Sequence, residues 1–381
     1  MWTAVSSGVL VLALVTQTVT TRACDNNSTT TPPPSTGGDS FTTRDGARFR
    51  VETVFNNVEV PWAMEFAPDG RLFVTERPGR VLAINLTTGA FDTSPIEGVF
   101  ASGEAGLLGL ALDPQFAQTH FVYLYYSAQV ANNSGVNRIV RYREVNGKLG
   151  ERAVLVDNIP ASSIHDGGRL KFGPDGLLYA TTGDASTQGL AQDISSLAGK
   201  ILRLNRDGSA AAGNQFSSLV FTYGHRNPQG IAWHPSTGAI WEDEHGNIGN
   251  DEINRLQSGQ NFGWPRIEGN DTMPGMEIPI TFFNPAIAPS GSAFYRGSRI
   301  PQFENNLFIA TLRGTHLLRV TLDSAGQRIA SQERLLDGTF GRLRDVIMGP
   351  DGNMYISTNN RDGRGTPAMG DDRILRISPG S

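Results

Sequence analysis

GPDGLLYATTGD, residues 173–184, opens on a proline turn, runs on as a short apolar strand and closes on polar residues. The same order of parts returns along the chain: APDGRLFVTE from Ala67, DPQFAQTHFVYLYYS from Asp113, HPSTGAIWEDEHG from His234, PQFENNLFIATLRG from Pro301 and GPDGNMYISTNN from Gly349. The prolines of the six copies, at 68, 114, 174, 235, 301 and 350, stand 46 to 66 residues apart. After each copy comes a second strand, in several cases with apolar residues alternating with arginine: RVLAI (80–84), RIVRYR (138–143), KILRLN (200–205), EINRL (252–256), HLLRV (316–320) and RILRI (373–377). Alternation turns every second side chain to one face, so each unit is a small antiparallel sheet whose faces need neighbours to cover them. Units of this size carrying several strands are propeller blades. Six of them predict an all-β fold over residues 48–378, a six-bladed β-propeller of four-stranded antiparallel blades.

The composition agrees. With 44 Gly and 21 Pro in 381 residues, the chain favours strands and turns over long helices. Lys and Arg number 32 against 37 Asp and Glu, so there is no basic excess to neutralise a phosphate backbone, which argues against nucleic acid as a partner. The apolar run VLVLALV (9–15) is too short to span a bilayer but suits the core of an export signal, expected over residues 1–23. Cys24 is the single cysteine, so no internal disulfide can form. Its place after that run makes it a candidate for lipid attachment, beside the alternative of a cysteine in a discarded signal. The DNNSTTTPPPSTGGDS stretch (25–40) has almost no apolar content, and residues 24–47 are expected to form a disordered tether. These features describe an exported, periplasmic or cell-surface protein that is not transmembrane.

Blades in register deliver equivalent loops to one end of the central channel. Glu104 lies ten residues before Pro114, His165 nine before Pro174, Arg226 nine before Pro235 and Arg342 eight before Pro350, so one loop type should bring four polar groups to one mouth. Asp184 closes the strand on the same blade as His165. A carboxylate within reach would fix the imidazole tautomer and make His165 a general base; alternatively, His165 and Asp166 cap a loop beside a Gly-Gly turn. Arg226, Arg313, Arg342 and Arg344 would each suit a solvated surface taken singly. Gathered at one mouth they repel one another unless a polyanion sits among them, so the expected ligand carries several carboxylates or phosphates. There is no GxxxxGK[ST], GxSxG or HExxH motif, and GEAGLLG (103–109) has the wrong spacing for a dinucleotide cradle. WEDEHGNIGNDEIN (241–254) packs five carboxylates and Gly-Asn turns into an apparent loop, suited either to a hard cation such as calcium or to plain solvation.

HDGGRLKFGPDG (165–176), GHRNPQG (224–230), DEIN (251–254), FGWP (262–265) and RLRDV (342–346), in this order, resemble the soluble quinoprotein glucose dehydrogenases and aldose sugar dehydrogenases, the glucose/sorbosone dehydrogenase family. The resemblance covers nearly all of residues 48–378. It implies a propeller that holds pyrroloquinoline quinone (PQQ), a tricarboxylate, and Ca²⁺ over its channel and passes electrons from an aldose substrate to an external acceptor. It implies further that His165 takes the sugar's anomeric proton, that Asp184 orients it, and that Arg226, Asn227, Arg342 and Arg344 contact PQQ. By the same resemblance the Gly246 and Asn247 carbonyls hold the catalytic calcium, and Glu252 with Phe262 a second one. Three positions depart from the family's pattern: Glu104 stands for glutamine, Arg313 for lysine and Phe262 for tyrosine. Trp62, Glu104 and Trp264 are candidates for choosing the sugar. Two rival readings are a calcium-dependent propeller lactonase without cofactor and a non-catalytic cell-surface binding propeller.

Overall fold

Each proline turn joins the innermost strand of a sheet to the second. The computed structural model describes residues 1–2, 38–129 and 135–380. Blade I runs outward through Pro61–Phe66, Leu72–Glu76, Arg80–Ile84 and Phe91–Pro95. Blades II to V begin at their inner strands Leu107–Leu112, Leu170–Phe172, Pro228–Trp233 and Pro289–Phe294 and repeat this order of four antiparallel strands. The inner strand of blade VI, Leu343–Met348, packs against that of blade I, which closes the ring. The six-bladed all-β propeller expected from the repeats is therefore the fold.

The two strands visible in each sequence repeat are the second and third of their blade. The inner strands PWAMEF and LLGLAL show no alternation because both their faces are covered: ten of the twelve positions are buried, leaving only Glu65 and Phe66 half-buried. Large side chains wedge between blades, as where Tyr123 of blade II meets Phe172 of blade III at a ring separation of 5.1 Å.

Blade VI takes three strands from the C-terminal region and is completed by two from the N-terminal side, Arg48–Phe55 and then Asp39–Thr42 at the outer edge. Residues 39–47, placed in the tether by composition, thus belong to the fold. Phe41 stacks on Phe49 at 5.5 Å and Ala47 is buried in the core, so this short segment gains a paired edge and an apolar contact that its polar composition hides. The rest of the tether up to residue 37, Cys24 and the expected export segment apart from its first two residues lie outside the described residues. No helix among the described residues is long and apolar enough to cross a membrane.

Candidate active site

His165 lies in the loop entering the inner strand of blade III, and Asp184 just beyond the second strand of the same blade. Glycines let these two loops touch. A Cβ on Gly183 would fall 1.9 Å from the His165 carbonyl oxygen, and one on Gly167, at φ +61°, would come within 2.7 Å of the Gly183 nitrogen. His165 itself has φ 63°, an uncommon conformation for a residue with a side chain. It is held there by its N–H, donated to Glu104 Oε2 at 3.1 Å, and by its carbonyl, which accepts from Ala185 N–H at 3.1 Å.

The imidazole Nδ1 lies 2.8 Å from Asp184 Oδ1. Asp184 is fully buried; Oδ1 also accepts from Ser186 N–H and Oδ2 from the Trp264 indole N–H, both at 2.8 Å. A carboxylate so supplied with donors accepts from Nδ1–H, which leaves the lone pair on Nε2. Trp264 does more: the Arg226 guanidinium sits 5.3 Å from its ring centroid, and Gln192 donates to its carbonyl at 2.7 Å. The orientation of the histidine and the position of an arginine are thereby tied to one indole.

The arginines divide by partner. Arg342 donates to Asp362 Oδ2 at 2.7 and 3.0 Å, and Arg364 to Glu104 Oε1 at 2.7 Å. Among the described residues no carboxylate lies within ion-pair distance of Arg226, Arg313 or Arg344. Arg344 is buried, donates only to the neutral oxygens of Gln229 and Ser290 at 3.2 and 3.3 Å, and meets the Asn359 amide oxygen at 2.9 Å once that amide is turned toward it. Burial pulls its pKa down to about 9, the signature of a desolvated cation without a counter-charge. Arg226 is half-buried, and its Nε has no partner. Arg226 and Arg344, at least partly buried without a carboxylate partner among the described residues, suit the carboxylates of the expected cofactor; Arg313 is exposed. Burial pushes the Glu104 carboxyl up, but His245, Arg364 and the His165 amide outweigh it and hold the pKa at about 2. Because burial also keeps His245 below its ordinary pKa, the cation beside Glu104 at neutral pH is Arg364. The carboxylate in the glutamine's place is thus already engaged.

The acidic stretch is a hairpin, not the loop expected. Ile240–Glu244 pairs with Asp251–Leu256 in the register Glu244↔Glu252 and Glu242↔Asn254. Period-two alternation puts Glu242, Glu244 and Glu252 on one face and sends Asp243 to the other, toward Ser292 of blade V. Asp251 caps the chain instead, accepting from Gly246, Ile287 and Ala288 N–H. Glu242, Glu244 and Glu252 are buried, and ligand atoms of Glu242, Glu244 and His225 lie within 4.8 Å of one another. Burial and the neighbouring acids push Glu242 well above the usual carboxylate range and Glu252 to about 8. Such a cluster is suited to a cation. The carbonyls of Gly246, Asn247 and Phe262 accept no hydrogen bond among the described residues, and Gly246, Glu252 and Phe262 line one small cavity with Glu244 and Glu268. These oxygen donors fit a hard cation such as calcium.

The expected residues therefore converge, though not equally. Glu104 and Arg344 line a common pocket beside Asp166 and Gly167. Arg313, exposed, lines a neighbouring cavity with Arg342 on the other side of Arg364. Asn227 is wholly buried, its Oδ1 accepting from Gly167 N–H at 3.1 Å, so it braces the histidine loop. Asn247 is exposed on the calcium-side loop. Sequence reasoning missed Arg364, Asp362, Gln229 and His245, which share no offset from the repeat prolines.

The glucose/sorbosone dehydrogenase family model matches residues 58–375. The chain is 31% identical over 361 residues to the aldose sugar dehydrogenase of Escherichia coli, covering 87% of this chain and 94% of that one. It is 27% identical to quinoprotein glucose dehydrogenase B of Acinetobacter calcoaceticus, covering 84% and 87%. Among solved structures it resembles the PQQ-bound aldose sugar dehydrogenase of Streptomyces coelicolor, with 37% identity, a TM-score of 0.79, and coverage of 91% of this chain and 99% of that one.

Proposed function

This chain belongs to the glucose/sorbosone dehydrogenase family, a family of sugar-oxidising oxidoreductases, and from that premise we propose that it oxidises aldose sugars at C1 to lactones with PQQ and Ca²⁺. The observation that carries the reading is the pair of at least partly buried guanidinium groups, Arg226 and Arg344, without carboxylate partners among the described residues, near an imidazole already oriented by Asp184, with Arg313 exposed in the adjoining cavity. Arg226, Arg313 and Arg344 would hold the cofactor's carboxylates, and the Gly246 and Asn247 carbonyls would hold calcium beside it. When bound, PQQ supplies a two-electron acceptor for the sugar's hydride, and calcium supplies positive charge that favours the transfer.

His165 takes the anomeric hydroxyl proton on Nε2, because Nδ1 is committed to Asp184. Asp184 offsets the charge that then develops on the ring, while Trp264 and Ser186 keep the carboxylate from turning away. Glu104 fixes the histidine backbone and presents a carboxylate at the mouth. Electrons leave to an external acceptor. A lactonase would leave the unpaired guanidinium groups with nothing to bind, since a neutral lactone needs no such cradle. The apolar run at residues 9–15 supports export to the periplasm or cell surface, with Cys24 as the lipid-anchor candidate.

Purified protein reconstituted with PQQ and Ca²⁺ is expected to reduce a redox dye when an aldose is added. The absence of both PQQ binding and dye reduction across a sugar panel would overturn the proposal. Lactone hydrolysis with calcium alone, indifferent to PQQ, would replace it with the hydrolase reading.

A further inference from the structure

Arg364 sits in the mouth-side loop of blade VI, between the strands Met354–Thr358 and Ile374–Pro379, and Glu104 in the loop that enters blade II. In the ring, blade I lies between these two and packs against both through its inner strand. The Arg364 guanidinium nevertheless reaches Glu104 Oε1 at 2.7 Å, an ion pair that bridges two blades over a third. The other carboxylate oxygen, Oε2, accepts the His165 N–H, and the Glu104 N–H is donated to the Ser163 carbonyl at 2.8 Å. The two loops touch: a Cβ on Gly103 would fall 2.3 Å from that carbonyl oxygen. Glu104 therefore grips the histidine loop at two points, one of them the N–H of the left-handed residue that carries the base.

Arg364 in turn holds the Glu104 carboxylate. Among the described residues no other cation lies within ion-pair distance of it; Arg77 of blade I feels both Glu104 and Asp362 but forms an ion pair with neither. Arg364 is itself tied down, because its N–H is donated to Asp362 Oδ1 at 2.8 Å while Asp362 Oδ2 takes the Arg342 guanidinium. One unbroken chain thus runs through Arg342, Asp362, Arg364, Glu104 and His165, from blade VI around the mouth to blade III. A glutamine in the place of Glu104 would interrupt it. Arg364 and the His165 N–H are both donors that reach separate oxygens, and an amide offers only one. The carboxylate at position 104 and the arginine facing it therefore belong together.

We propose that Arg364 is a positioning residue for the dehydrogenase centre, acting through Glu104 to hold the His165 backbone, and with it the imidazole, in place at the mouth. The inference rests on the reading of His165 as the base and adds to it a requirement from a blade that does not carry the histidine. The Arg364 side chain is 53% exposed and that of Glu104 23%, so the pair adds little to folding stability. Its effect falls on the placement of the base, where a small displacement is enough to slow proton transfer.

Hydrogen exchange of the ligand-free chain and steady-state kinetics of the enzyme reconstituted with saturating PQQ and Ca²⁺ test it together. In Arg364→Met the backbone amides around His165 should exchange about fivefold faster than in the wild type. Its kcat should fall about tenfold with KM unchanged, and its melting temperature should stay within about 3 °C. Arg364→Lys, which returns a charged donor, should recover most of both losses. Adding Arg364→Met to Glu104→Gln should cost no more kcat than Glu104→Gln alone, because the chain is already cut. Exchange or kcat unchanged in Arg364→Met, a further loss on top of Glu104→Gln, or a rise in KM at constant kcat, which would make Arg364 a sugar contact, would overturn the proposal. A wild type that reduces no dye would overturn the dehydrogenase reading instead, and faster exchange in Arg364→Met would still show the hold on the His165 loop.

Discussion

The two halves of the catalytic mouth are built on opposite plans. Around His165, Asp184 and Trp264 the internal hydrogen bonds are made: the carboxylate has its donors, the imidazole its tautomer, and the loop its glycine contacts. Across the mouth, Arg226 and Arg344 lie at least partly buried with no carboxylate within ion-pair distance among the described residues, and Glu242 and Glu252 are buried beside other acids. The first half is complete in the protein alone. The second carries a desolvation cost that a bound anion and a bound cation would offset. Substitutions in the first half should therefore act on turnover, and substitutions in the second on ligand affinity and on the stability of the ligand-free protein.

The largest effect expected is that of His165→Ala, which should lower kcat of the reconstituted enzyme roughly a thousandfold while a PQQ titration keeps its midpoint; unchanged turnover would break the assignment of the base. Arg344→Met comes next. It should weaken PQQ about a hundredfold yet raise the melting temperature of the ligand-free protein by a few degrees, because an uncompensated buried charge is gone. A fall in both quantities would show that the arginine is structural, and the contrast between the halves would fail.

Trp264→Phe keeps the ring under Arg226 but removes the donor to Asp184. About tenfold loss in kcat with little change in KM is expected, the size of one hydrogen bond to a charged group. Smallest should be Glu104→Gln. The folded carboxyl has a pKa of about 2 against an ordinary 4.5. The unfolded chain therefore binds more protons between those values, and the stabilisation present above pH 4.5 is lost as pH falls toward 2. Melting curves of the glutamine variant should fall less steeply across that window, by well under the full shift because Glu104 is partly exposed.

The same contrast explains what could be read beforehand. The blade count was visible because the second and third strands alternate and the turns carry proline; the inner strands, covered on both faces, carry no such pattern. His165 and Asp184 could be paired because they bracket one strand. Trp264 could not be added, since its indole reaches Asp184 across 80 residues of sequence. Arg364 and Asp362 lie in a glycine-rich turn of blade VI without a counterpart in the other repeats, so no offset pointed to them. Composition marks the acidic stretch but suggests a loop where the chain forms a hairpin. Strands rarely carry so many buried carboxylates, and only pairing shows which of them share a face.

Because Asp39–Thr42 is the outermost strand of blade VI, whatever precedes residue 38 departs from the perimeter of the disc. A molecule moored through that segment would hang by its rim, with neither opening of the pore pressed against the surface that holds it. Sugar could then arrive from one direction and a redox partner approach along the same open side, without the mooring obstructing either.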